Sequence, residues 1–420
     1  MSSSAPRPAG HWLMATPHTL WRTGPGTVVP VGTGPGQSVE AAAVAEHLLA
    51  AAPPDHAVVG TLAFDETQPP ALTLAPLTAH PRPDAAPTAR RHATSDPEAL
   101  ATPFHPPVPY GPPTVGERPA GPTPEDRSYL HAVTRALHQL ETGTIDKIVL
   151  SRSRHLTGPL LPNAATLWRR LVQAHPTAYV FAGRLPSDEG QSARTLVGAS
   201  PELLLQRTGD RLRLNPLAGT TPRGPTPAAD AAAARALLNS GKDRHEHALL
   251  ITDLTRRLKP WCAHLDVPPT PSLTAAGGLW HLSTTITATL RRPVPSALRL
   301  AAVLHPTPAV CGIPRATARD LIHRLESRSR NYFSGITGWM DRYGDGQWVI
   351  ALRCGELSPA ALTLWAGAGI VAGSTPHGEL AETTAKMNTV LHAALPQPCG
   401  SDGRHSGRPR SPGASGAVIV

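Results

Sequence analysis

Apolar positions recur along the chain in two rhythms, one of period two and one near 3.6, and these predict the elements. HAVVGTLAFD, with Val58, Val59, Leu62 and Phe64 apolar, predicts a strand, preceded by a helix over VEAAAVAEHLLAA. From TPEDRSYLHAVTRALHQLETG the rhythm is helical. Leu130, Val133, Leu137 and Leu140 fall on one face, and Thr123 with Asp126 three residues on forms a cap. KIVLSRS predicts a strand, and TLVGASPELLLQR and RLRLNPLAG predict strands joined through the turn TGD. DRHEHALLITDLTRRLKP predicts a helix with Leu250, Leu254 and Leu258 as its core stripe, stopped by Pro260. GQWVIALRC and LTLWAGAGIVAG predict a later strand pair, and GELAETTAKMNTVLHAAL a closing helix. Groups of strands joined by hairpins, with helices between the groups, argue for an α+β fold rather than a repeating βαβ array. The expected architecture is a single large domain, an antiparallel sheet core flanked by helices.

Composition sets the limits of that domain. Residues 80–125 are dense in Pro, Ala and Thr and predict an irregular connection. Residues 1–11 and 397–420 predict disordered ends, which leaves 12–396 as the domain and 125–396 as its motif-bearing core. No run approaches 18 uncharged apolar residues, so no membrane span is expected. The first residues lack a signal-like apolar run, and Cys262, Cys311, Cys354 and Cys399 are widely spaced. A reduced, cytoplasmic protein is the expectation. The net charge of +9 raises the question of nucleic acid. Aromatic residues are only 4% and none interleave a basic patch, so the charge is better read as arginine bias with an anionic small-molecule substrate.

Only four of the 39 basic residues are lysines: Lys147, Lys242, Lys259 and Lys386. Arginine cannot give up its proton in a protein and lysine can, so a lysine retained in DKIVLSRSR is a candidate base. The bland alternative is a solvated strand end. On the helix of GKDRHEHALL, Asp243 and Glu246 share a face at i, i+3. On the last helix Glu379, Glu382 and Lys386 form one stripe, with Leu380, Met387, Val390 and Leu391 opposite. Each alone reads as an ordinary helical surface. Together they offer two carboxylate faces for a hard cation with few protein ligands. Glu202 opens the apolar run LLL after Gly-Ala-Ser-Pro. Desolvation there would raise its pKa and make it a proton donor near neutrality. PLAGTTPRG and WAGAGIV are expected to be small-residue turns whose N–H groups can hold a carboxylate. Arg353, expected in the strand WVIALRC, can contact a carboxylate in bidentate fashion.

These stretches resemble the chorismate-utilising enzymes, and within them the isochorismate synthases. The similarity runs in order through KIVLSRSR, LVGASPELLLQ, PLAGTTPRG, KDRHEH, LWHLSTTI, LHPTPAVCGIPR, YFSGITGWMD, WVIALRC and WAGAGIVAGSTPHGELAETTAKM, over residues about 125 to 395. A looser likeness covers VVGTLAFDETQP. The resemblance implies a Mg²⁺-dependent isomerase, chorismate as substrate, and a monomer with neither nucleic-acid nor membrane partners. It also implies roles. Lys147 would activate the water that attacks C2, and Glu202 would protonate the departing C4 hydroxyl. Glu246 and Glu382 would bind the metal directly, with Asp243 and Glu379 acting through water. Gly219, Thr220, Arg353, Gly367 and Lys386 would hold the substrate, and His281 would lie at the reacting end.

The same resemblance discriminates among relatives. Ammonia-using members generally lack lysine at the position of Lys147, which favours water as nucleophile. Members with a lysine nucleophile carry it where this chain has Ala218. Salicylate synthases, the alternative activity, tend to have Thr where this chain has Ala309, which favours stopping at isochorismate. The product would feed siderophore, salicylate-derived or menaquinone biosynthesis. Cys311 stands where relatives often have Ser, and RLESRSRNYFSG is more basic than the usual segment.

Overall fold

The computed structural model describes residues 12–82, 122–187, 192–276, 278–395 and 418–419. The expectations for residues 1–11, for most of the 80–125 segment and for nearly all of the tail lie outside the described residues. The helices are α1 (Gln37–Ala51), α2 (Pro124–Glu141), α3 (Ala164–Ala174), α4 (Pro227–Asn239), α5 (Gly241–Leu258), α6 (Ala297–Leu304), α7 (Arg315–Leu325) and α8 (Pro376–Ala394). Their starts follow capping chemistry. Thr123 and Asp126 form a reciprocal box at α2, Ser240 accepts from Asp243 N at α5, and Thr375 precedes Pro376 at α8. The buried stripe of α2 is Tyr129, Ala132, Val133 and Ala136, one step round from the expected Leu130 face, because Tyr129 packs towards Leu150 O.

Every strand pairing is antiparallel among the described residues, and the strands form two successive series. The first runs Lys147–Thr157, Ala361–Ile370, Cys354–Leu357, Thr195–Ser200, Tyr179–Arg184, Trp12–Ala15, Thr19–Thr23. The long strand Ala71–Pro81 pairs with Thr19–Thr23 through its second half and with His56–Leu62 through its first. It thereby leads into the second series: His56–Leu62, Ile336–Asp341, Gly346–Ile350, Leu203–Thr208, Arg211–Asn215, Ile286–Leu290. Trp12, Met14, Phe181 and Leu196 of the first series share one core cluster with Val59, Leu203 and Val349 of the second. Helices α3 and α8 cover the first series elsewhere, around Leu167, Leu171 and Val390, and α1, α5 and α6 cover the second, around Leu49, Leu254 and Leu300. A separate three-stranded sheet, Leu217–Pro222, Leu279–Ser283 and Ser272–Ala276, packs on α4 through Leu237 and Trp280.

Two expectations are corrected. GQWVIALRC is not one strand. It breaks into Gly346–Ile350 of the second series and Cys354–Leu357 of the first, and Arg353 sits in the break at φ 50. PLAGTTPRG and WAGAGIV are not turns. They lie in the strands Leu217–Pro222 and Ala361–Ile370, where small residues admit neighbouring side chains against the backbone.

Candidate active site

The site forms where the chain passes between the two series. Strand Thr195–Ser200 gives way to Leu203–Thr208 across Pro201 and Glu202 alone. The return crossing is Ala351–Arg353. The crossings are tied side by side: Ile350 N donates to Glu202 O at 3.3 Å and Ala199 N to Arg353 O at 3.1 Å. Residues left between two sheets keep side chains that neither sheet's interior claims. Glu202 and Arg353 therefore line one cavity, with Gly219, Thr220, Glu246, His281, Ala309, Gly367, Glu382 and Lys386.

Glu202 is 2% exposed. Burial lifts its carboxyl to about 8, against the opposing pull of a hydrogen bond from the Leu217 backbone and the charges of Lys147 and Lys386. The desolvation of Glu202 expected from GASPELLL is present. Lys147 opens its strand and is wholly buried. Its Nζ lies 2.9 Å from Glu246 Oε1, a pair held by charge and proximity, since Nζ lacks a hydrogen-bond partner of good geometry. Burial opposes the charge on Glu246, but Lys147, Lys386 and Lys242 together hold its carboxyl below the usual range.

Small residues permit these approaches. A Cβ on Gly369 would fall 2.2 Å from Glu246 Oε1 and 3.1 Å from Lys147 Cε. Gly219, at φ +78 on a strand bulge, would clash with Asp243 Cβ at 2.9 Å. The bulge leaves Gly219 unmatched between the paired residues Ala218 and Thr220. Thr220 Oγ1 lies 3.0 Å from His281 Nδ1, and Arg353 Nη2 lies 3.3 Å from His281 Nε2. Arginine only donates, so Nε2 accepts and the ring proton sits on Nδ1. Burial, helped by Arg353 and Lys386, pushes His281 well below its ordinary range, so the ring is neutral. Burial also draws Arg353 down to about 10, opposed by Glu382.

The acidic faces of α5 and α8 meet beside the cavity, which Glu246 and Glu382 line. Lys386 Nζ donates to Glu382 Oε1 at 2.6 Å and to Gly367 O at 3.0 Å. Lys242 Nζ donates to Glu379 Oε1 at 2.9 Å, while Glu379 Oε2 is buried without a partner. Asp243 accepts a short hydrogen bond from Ser240 Oγ. Burial raises both Glu379 and Asp243, and the nearby carboxylates push the same way: Glu382 on Glu379, and Glu246 with Glu382 on Asp243. Among the described residues no three His, Cys, Asp or Glu side chains already converge in a ligand cage. The donor set nevertheless fits a hard divalent cation. It consists of carboxylates that repel one another, with a buried oxygen left over, and counter-ions only from displaceable lysines.

Of the site residues expected from sequence, all but Lys147, Asp243 and Glu379 line this cavity; Lys147 lies behind its wall against Glu246, and Asp243 and Glu379 stand behind Glu246 and Glu382. Sequence reasoning missed Gly369, whose alternation with Gly367 along one strand face was the available signal. It also passed over the partner of Lys242, a lysine whose rarity had already marked it.

A buried acid in the cavity wall, a buried amine behind that wall, cations able to meet carboxylates and a cluster of acids on α5 and α8 suit acid–base chemistry on a small anionic substrate. The chain belongs to the chorismate binding enzyme family, which matches residues 71–395. It is 47% identical over 273 residues to the isochorismate synthase DhbC of Bacillus subtilis, covering 65% of this chain and 69% of that one. It is 40% identical over 269 residues to the isochorismate synthase EntC of Escherichia coli K12, covering 64% and 67%. The crystal structure of DhbC from Bacillus anthracis superposes with a TM-score of 0.78 at 34% identity, covering 93% of this chain and 97% of that one. No described helix is long and apolar enough to cross a membrane.

Proposed function

We propose that this protein is an isochorismate synthase that converts chorismate to isochorismate with Mg²⁺. The observation that carries the reading is the nearness of two buried groups: Glu202 in the cavity wall, protonated up to about pH 8, and the amine of Lys147, which lies behind the wall residue Glu246 and whose charge acts on Glu202. Lys147 acts in its neutral form, having first given up to solvent the proton it carries in its pair with Glu246; water then attacks C2 as its proton passes to Nζ. A C2–O bond forms, both ring double bonds shift by one position towards C4, and the C4–O bond breaks. Glu202 supplies the proton with which the C4 hydroxyl leaves as water, so the product is an isomer of the substrate. Arg353 and Lys386, with backbone donors near Gly219 and Gly367, hold the substrate carboxylates. Neutral His281 orients Arg353 on one side and Thr220 on the other.

Glu246 and Glu382 would hold the Mg²⁺ directly, and Asp243 and Glu379 through water. When bound, the ion neutralises charge between the substrate carboxylate and these side chains. Ala309 at the cavity wall supports release at isochorismate rather than pyruvate elimination to salicylate.

The test is a chromatographic product assay on purified protein with chorismate and Mg²⁺, beside Lys147→Ala, Glu202→Gln and metal-free controls. Isochorismate formed only by the intact, metal-loaded protein is expected. Salicylate with pyruvate as the main product would replace this reading with the salicylate synthase one, and no turnover would reject both.

A further inference from the structure

Ser334 carries two burdens that the mechanism above does not use. It is 1% exposed and lines the cavity with Glu202 and Arg353, yet its Oγ makes no hydrogen bond within the protein. Its backbone is left-handed, at φ 63, a conformation that serine adopts rarely and glycine freely. The backbone is gripped on both sides. Ser334 N donates to Ala351 O at 2.9 Å, and Ser334 O accepts from His305 Nε2 at 2.8 Å. Glycine would relieve the backbone and remove the orphaned hydroxyl at once. Strain and an unmet polar group on one residue beside a binding cavity point to use by a ligand.

We propose that Ser334 is a substrate-binding residue of this chain, its hydroxyl donating a hydrogen bond to the substrate carboxylate that Arg353 holds. The inference rests on the proposed function. The choice of group follows from the wall. Ser334 N is anchored on Ala351, two residues before Arg353 in the return crossing, and Ser334 and Arg353 line the same cavity. A neutral donor beside a fixed cation suits an anionic acceptor with two oxygens. The gripped backbone presents the hydroxyl without further ordering on binding.

The test compares wild type with Ser334→Gly and Ser334→Ala for chorismate KM, kcat and thermal midpoint. Loss of one hydrogen bond to a charged group is expected to raise KM about tenfold or more in both variants. The glycine variant should melt no lower than wild type. Wild-type turnover with KM within twofold in both variants would overturn the assignment, as would a loss confined to kcat. A lowered melting point in Ser334→Gly with unchanged KM would show a structural hydroxyl and also overturn it. If the wild type does not turn over chorismate, the functional reading fails first and takes this inference with it.

Discussion

Gly369→Ala is the sharpest perturbation the geometry offers. The alanine methyl would begin 2.2 Å from Glu246 Oε1, whereas real contacts of this kind stay beyond about 3.0 Å. Either the carboxylate or the strand must move by about 0.8 Å, the difference between those distances. The strand is paired along its length to Lys147–Thr157, while the carboxylate is the far end of a rotatable side chain, so the carboxylate moves. Gly369 has an ordinary φ, so alanine adds no backbone strain there. Folding should therefore lose about 1–3 kcal/mol, the usual range for a single substitution that disturbs a buried pair without breaking it. Catalysis should not escape. Glu246 is the partner of Lys147 at 2.9 Å and a proposed metal ligand, and a displacement near 1 Å can cost on the order of 100-fold in rate. The assay is steady-state turnover of chorismate across a Mg²⁺ series, with a thermal melt on the same preparation. Gly367→Ala, whose methyl would meet nothing closer than 3.3 Å, should lose much less. A Gly369→Ala enzyme with turnover within twofold of wild type and an unchanged Mg²⁺ requirement would refute the geometry.

The raised carboxyl of Glu202 makes kcat/KM fall as pH rises through about 8, measurable in a pH–rate profile. The same shift acts on stability. The folded state retains a proton that the unfolded chain loses above about 4.5, so this contribution to stability is lost between about pH 4.5 and 8. Glu202→Gln should therefore abolish turnover yet raise the melting temperature, more at pH 8 than at pH 5. Lys147→Arg should lose turnover, since arginine cannot accept the proton, and full activity would rule out a base at this position. Mg²⁺ should raise the melting temperature of the wild type and do so less in Glu382→Gln, as followed by scanning calorimetry. Arg330 is buried, pairs with Glu326, and donates to Val149 O at 2.7 Å and Val310 O at 2.6 Å. Arg330→Met should cost about 3–5 kcal/mol in denaturant unfolding by leaving Glu326 buried and unpaired.

Much of the site was legible because its chemistry needs unusual residues. A lysine in an arginine-rich chain, a glutamate opening a leucine run and acids on one face of a helix depart from what packing alone would choose. What stayed hidden depends on long-range pairing. Glu202 and Arg353 are neighbours only because two strands cross between sheets at the same place, and strand register is set by tertiary contacts rather than local pattern. The break at Arg353 leaves no mark in WVIALRC, since apolar residues flank it on both sides. The small residues of PLAGTT and WAGAG resembled turns because glycine favours turns. Here the glycines serve close approach, which composition alone cannot separate from a turn.

The lysines carry the last step of the argument. Three of the four in the chain end at carboxylates of the site: Lys147 at Glu246, Lys242 at Glu379 and Lys386 at Glu382. Elsewhere the fold meets buried carboxylates with arginine, as at Glu326 with Arg330 and Asp230 with Arg223. An arginine fork on a carboxylate is directional and often bidentate, suited to a permanent tie. An ammonium is a point charge on a flexible stem, which can neutralise a carboxylate and then yield it. Carboxylates that must exchange partners between an empty and a loaded site need the second kind of counter-ion. The placing of three of the four lysines in this cluster fits that need under the proposed function, and their charges offset the burial and the neighbouring acids that oppose ionisation of Asp243 and Glu379.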